Sequence, residues 1–237
     1  MRDLFLSGIL FDIIMGYYNF FILTLHTSLI TLLTLFCFRL GKEFLIAFLA
    51  LLAILMNLFV LKQMTIFGLD ITCSDALAVG YLLGLNLIQE FFGRPLARKM
   101  IWIGFTTSMI FLLLSQIHLL YMPSELDQMH LHYKTLLTPQ IRLVCASLVS
   151  FVIIQFLDLR LFAYLRSLFK QKAFPMRSAI TLLASETLDT LLFSILGLAG
   201  MVSSLSSIIL FSLLAKTVVI VLSLPFLNLA KRIHVQV

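Results

Sequence analysis

Seven apolar stretches, each near the length of a bilayer crossing, recur along this chain at 18–38, 43–61, 71–92, 100–121, 140–162, 178–201 and 206–229. A helix rises about 1.5 Å per residue, so about 20 mostly apolar residues span the hydrocarbon. Backbone groups find no water there, which leaves helices or a closed barrel. Continuous apolar runs, rather than short alternating ones, select helices. The expected fold is an all-α integral membrane protein, a bundle of about seven transmembrane helices in one polytopic domain over 1–237. Within it, 1–17 form an N-terminal apolar segment, 18–229 the helical bundle and 230–237 a cytoplasmic tail. Composition agrees: 61% of residues are hydrophobic and 12% charged, against roughly 45–50% and 25% in soluble domains. Segment 4–16 is too short to span, is interrupted by Asp12 and lacks a small-residue cleavage site, so it is read as retained.

Lys and Arg divide unevenly between the two sides of such a bundle. The connections after the first, third, fifth and seventh stretches hold Arg39, Lys42, Arg94, Arg98, Lys99, Arg160, Arg166, Lys170, Lys172, Arg177, Lys231 and Arg232. The other side holds Arg2, Lys62, Lys134 and Arg142. Positive charge marks the cytoplasmic face, so the N-terminus is expected outside and the C-terminus inside. The asymmetry accounts for the net charge of +6 without a nucleic-acid partner. Cys37, Cys73 and Cys145 show no disulfide or metal-ligand spacing and are read as small buried packing residues. The longest connection, 122–139, carries His130 and His132, which are read as part of a solvated loop. No metal and no cofactor are expected.

Ionisable residues at bilayer depth are costly and mark either a function or a paired structural site. The third stretch carries Asp75, Asn86, Gln89 and Glu90; at 100° per residue, Asp75, Asn86 and Glu90 share a face. Ala76, Gly80 and Gly84 add a small-residue stripe that lets helices approach closely. In the fifth stretch, Gln155 and Asp158 are helical neighbours; Asp158 suits either an ion pair with Arg160 at the interface or a pocket. The sixth carries Glu186 and Asp189, the seventh Lys216. Pairing Lys216 with either carboxylate offsets part of the burial cost. That pairing could lock two helices or form a substrate or proton site. The chain has no phosphate loop, zinc-protease helix or nucleophile elbow, and nothing points to an enzyme.

Four motifs in order resemble the queuosine precursor transporters, also called the vitamin uptake transporter family. The third stretch and its exit read Asn86-Leu-Ile-Gln-Glu90-Phe-Phe-Gly93-Arg-Pro-Leu-Ala97-Arg98, with Asn86 where the family usually carries Asp. Gln155-Phe-Leu-Asp158-Leu-Arg-Leu-Phe162 and the preceding Arg142 match the fifth span. Asp189-Thr190-Leu-Leu-Phe193 matches the sixth, with Glu186 where Gln or Asn is common. Lys216 and Pro225 match the seventh. The resemblance runs from about Glu43 to Lys231 and implies import of a 7-deazaguanine base: a cyano or aminomethyl precursor, or queuine.

Such a base presents a ring N–H beside an exocyclic amine, which one carboxylate accepts together. The resemblance implies that Glu90 or Asp189 grips that edge and that Asn86 and Gln155 add hydrogen bonds. Lys216 would balance the charge, and Asp158, Glu186 and Arg142 would complete the substrate-binding set. The expected partners are this small molecule and membrane lipid; self-association into a homo-oligomer is open. Two other readings stand beside the carrier: the substrate-binding membrane subunit of an ATP-driven importer, and an intramembrane enzyme.

Overall fold

A computed structural model describes the backbone of residues 2–59, 62–66, 69–138, 141–170, 172–199 and 205–234. Helix α1 (Arg2–Leu40) runs through the N-terminal segment and the first apolar stretch without a break. Gly41 alone separates it from α2 (Lys42–Phe59). Its φ of 127° lies in the region that favours glycine, and its N–H donates to the Cys37 carbonyl at 3.2 Å, closing the helix end.

The third stretch departs from expectation at its start. Residues 71 and 72 are not helical; they end strand β2 (Leu69–Thr72), which pairs antiparallel with β1 (Gln63–Ile66) from Gln63↔Thr72 to Ile66↔Leu69. Thr65, Ile66, Ile71 and Thr72 are β-branched and flank Gly68, a hairpin signal masked by the overall apolarity of the run. The side chain of Asn19 ties α1 to this hairpin, donating to the Thr65 carbonyl at 2.8 Å.

Helix α3 (Asp75–Leu87) then occupies the centre of the bundle, against α1, α2, α6, α7 and α8. All of its residues but Ala78 are buried, as expected of a helix that is apolar all round. The small-residue stripe faces its neighbours closely. A Cβ on Gly80 would collide with Ile30 of α1, and one on Gly84 with Leu49 of α2. Overpacking of this kind costs about 1–3 kcal/mol. Gly84→Val therefore lowers the thermal midpoint of the detergent-solubilised protein, and an unchanged midpoint would refute the close approach.

A π-helical turn, Ile88–Phe92, extends α3 to Gly93. Gly93 has φ 94°, and Pro95 sits in the first turn of α4 (Arg94–His118), the favoured helix-start position for proline. The connection at 122–139 contains a short helix, α5 (His130–Leu137), with His132 exposed. Then come α6 (Ile141–Leu168), α7 (Phe174–Phe193), a second π-helical turn at Ser194–Leu198, and α8 (Leu205–His234). Helix α6 packs on α7, α7 on α8, α8 on α1, and α2 on α4.

The third stretch is divided among β2, α3 and the π-helical turn, and the sixth between α7 and the second π-helical turn. Among the described residues, Ile13–Leu40, Lys42–Phe59, Arg94–His118, Cys145–Leu168 and Phe174–Gly197 are long and apolar enough to cross a membrane. The polarity is inverted relative to a soluble protein. Phe21, Leu25, Phe36, Leu113 and Leu114 point outward, whereas Asp158, Arg177, Glu186 and Lys216 are buried. Lipid is the solvent that makes this arrangement stable. The cysteines are free thiols, but none is buried: Cys37 and Cys73 are half-buried and Cys145 is exposed. A thiol is apolar enough to face lipid.

Candidate functional site

Helix α7 carries a polar side chain at each turn of its inner side, at Arg177, Thr181, Ser185 and Asp189, with Glu186 beside them. The four-residue spacing keeps them in one row. Each member finds a partner on a different helix, and two charged centres result.

The first lies at the end of the bundle that holds the basic connections. Arg177 is fully buried and donates two hydrogen bonds to Glu90, Nη2 to Oε1 at 2.8 Å and Nη1 to Oε2 at 3.2 Å. Its Nε donates to the Lys172 carbonyl at 2.8 Å. Its guanidinium lies 5.2 Å from the Phe162 ring centroid and 6.0 Å from that of Phe174. Arg166 approaches Glu90 at 3.5 Å and donates to the Gln89 carbonyl at 3.2 Å. The π-helical turn breaks the α-helical bonding pattern here, so the backbone of Gln89 can serve another helix. Glu90, which with Asp189 was one of two carboxylates expected to grip substrate, is held by two guanidinium groups. Arg177, counted among the loop charges, is the most enclosed cation of the molecule's described part. The sequence signal for it was Glu90 itself, which needs a cation at its own depth.

The second centre lies deeper in the bundle. Lys216 Nζ stands 2.8 Å from Glu186 Oε2 and 3.2 Å from Asp189 Oδ2. The lysine therefore bridges both carboxylates rather than choosing one. Asp75, at the start of α3, interacts electrostatically with Lys216, Asp189 and Glu186, and its Oδ1 accepts from Thr72 Oγ1 at 2.8 Å. The hairpin thus positions a carboxylate that the sequence reading left outside the site, because only the tertiary packing brings β2 and α3 against α8. Asp158 is fully buried and does not form the interfacial pair with Arg160, which is exposed. Its Oδ1 accepts from Ser185 Oγ at 2.8 Å, and it feels the charge of Glu186.

Asn86 lies between the two centres, donating to Thr181 Oγ1 at 3.2 Å. Gln155 is buried one helical turn from Asp158 on α6. The side chain of Arg142 lies outside the described residues. Among the described residues, five buried acceptors in this region have no hydrogen-bond partner: Asp75 Oδ2, Asn86 Oδ1, Gln155 Oε1, Asp158 Oδ2 and Glu186 Oε1. Asp189 is the open side of the cluster, with its side chain 32% exposed against 9% for Lys216 and 3% for Glu186.

This arrangement can bind a polar ligand and neutralise charge inside an apolar bundle. A cleft of about 150 Å³ lies elsewhere, lined by His118, Tyr121, Asp127, His130 and Tyr133. It is smaller than the roughly 300–1,000 Å³ of ordinary ligand pockets.

Residues 77–230 match the family model described as "Putative vitamin uptake transporter". The chain is also 26% identical over 195 residues to the Bacillus subtilis (strain 168) protein named "Probable queuosine precursor transporter", covering 81% of this chain and 85% of that one. No solved structure matches it. The family match takes in well over half of the chain and every residue of both charged centres except Asp75. On that match, and with the buried charges on α3, α6, α7 and α8 that the motifs carry, the chain belongs to the vitamin uptake transporter family.

Proposed function

We propose that this protein imports a queuosine precursor, a 7-deazaguanine base, across the bacterial cytoplasmic membrane for tRNA modification. The observation that carries the reading is the Lys216–Glu186–Asp189 cluster with Asp75, buried inside the bundle of a family transporter. Asp189, the accessible carboxylate, accepts the ring N–H and exocyclic amine of the base together. Lys216, released in part from Asp189, donates to the ring carbonyl. Asn86, Gln155, Asp158 and Glu186 supply the remaining polar contacts, and Phe side chains of the neighbouring helices supply the flat apolar walls.

Transporters of this kind alternate access around a site within the membrane. The basic end faces the cytoplasm by the charge asymmetry, so the N-terminus is outside. The Glu90–Arg177–Arg166 clasp then closes the cytoplasmic end, and release of the base inside requires it to part.

The test is complementation of bacteria that lack both their own importer and precursor synthesis. Each base is supplied at low concentration, with a matching tRNA-modifying enzyme for queuine, and queuosine is read in tRNA. The unmodified chain restores queuosine with at least one base. Asp189→Asn abolishes it while the protein still reaches the membrane. Normal uptake by that variant would remove Asp189 from the site. No queuosine with any base would point instead to a missing ATP-hydrolysing partner or to another substrate.

A further inference from the structure

Resting on the transport reading above, we infer that the site selects 7-deazaguanines whose arm carries a protonated amine over those whose arm is neutral. Three carboxylates, Asp75, Glu186 and Asp189, act on one ammonium, that of Lys216, and a fourth, Asp158, adjoins Glu186. Among the described side chains, the guanidinium groups that reach the bundle interior, on Arg166 and Arg177, are committed to Glu90 at the other centre. Among those same side chains the site is therefore short of positive charge.

It is also short of donors. Asp75 Oδ2, Asp158 Oδ2, Glu186 Oε1 and Gln155 Oε1 are buried acceptors without partners among the described residues. Their residues are nearly closed to solvent, at 5%, 0%, 2% and 5% exposure. Buried acceptors of this kind need donors, and buried charges need opposite charge.

The guanine-like edge of the base meets only part of this need. It brings two donors to one carboxylate and no charge. A protonated amine on the arm brings both missing quantities at once: further N–H donors and a positive charge for a surplus carboxylate, in charge-assisted bonds. A cyano arm brings an acceptor into a region already crowded with acceptors. The same surplus could be met by protons carried with the base, in which case the arm would not matter.

A ligand series on the unmodified chain tests this. Labelled cyano, aminomethyl, N-methylaminomethyl and N-acetylaminomethyl bases are supplied to importer-deficient cells, and initial uptake is measured before metabolism. Methylation keeps the charge; acetylation removes it and keeps an N–H. The two cationic bases are expected to reach half-maximal uptake at roughly ten- to hundredfold lower concentration than the two neutral ones, the range of a charge-assisted hydrogen bond. Equal uptake of the cyano and aminomethyl bases, or preference for the cyano base, overturns the selection and leaves the transport reading intact. Uptake of none of the four removes the transport reading and the selection with it.

Discussion

Lys216→Met abolishes uptake and destabilises the bundle by about 3–5 kcal/mol, the cost of removing one partner from a buried ion pair. The ammonium is within 3.2 Å of two carboxylates, and Glu186 is almost wholly enclosed. Without the lysine, Glu186 and Asp189 face each other and Asp75 with no compensating charge. Water cannot take its place as it would in a soluble protein, because the surrounding helices present apolar faces. The stability loss is read as a lower thermal midpoint of the detergent-solubilised protein, and the activity loss as absent uptake at normal membrane abundance. Adding Glu186→Gln to Lys216→Met recovers part of the midpoint, since it removes one unpaired charge, and does not recover uptake. A midpoint unmoved by Lys216→Met would sink the bridging role.

The clasp predicts a comparable loss with a different signature. Glu90→Leu leaves the Arg177 guanidinium buried without its two charge-assisted bonds, again about 3–5 kcal/mol. Arg166 gives no relief, because it carries the same charge as Arg177; its own loss is small, since its side chain is 33% exposed and its contact with Glu90 is 3.5 Å, a geometry worth at most about 1 kcal/mol. Joint replacement, Glu90→Leu with Arg177→Leu, removes both charges and costs less than the sum of the two single changes. The coupling is read from thermal midpoints of the four proteins in a double-mutant cycle. Additive effects would show that Glu90 and Arg177 do not act as a pair. Phe162 and Phe174 remain around the vacated space, so the double variant keeps an apolar lining.

Much of this was legible in the sequence. The apolar runs dictated membrane helices, because their continuity excludes the alternating barrel, the other element that satisfies its backbone in lipid. The cost of a lone buried lysine dictated that Lys216 would seek Glu186 or Asp189, and the motif order dictated the family. The small-residue stripe announced the close contacts made at Gly80 and Gly84.

Other features depended on how the helices meet. Helical periodicity fixes which residues share a face, but not the depth or rotation at which that face meets another helix. Asp158 therefore meets Ser185 in the bundle interior rather than Arg160, and Glu90 meets Arg177. Arg177 read as a loop charge because it stands in the first turn of α7, where a side chain can face water or the bundle. Its burial follows from the positions of Phe162 and Phe174. The hairpin was hidden because Gln63–Thr72 interrupts two apolar runs too briefly to change their average. The sequence by itself thus determined the membrane, the helices and the need for charge pairing. The tertiary structure decided which charges pair, because pairing in a low-dielectric bundle is set by ångström distances between helices that no spacing along one chain records.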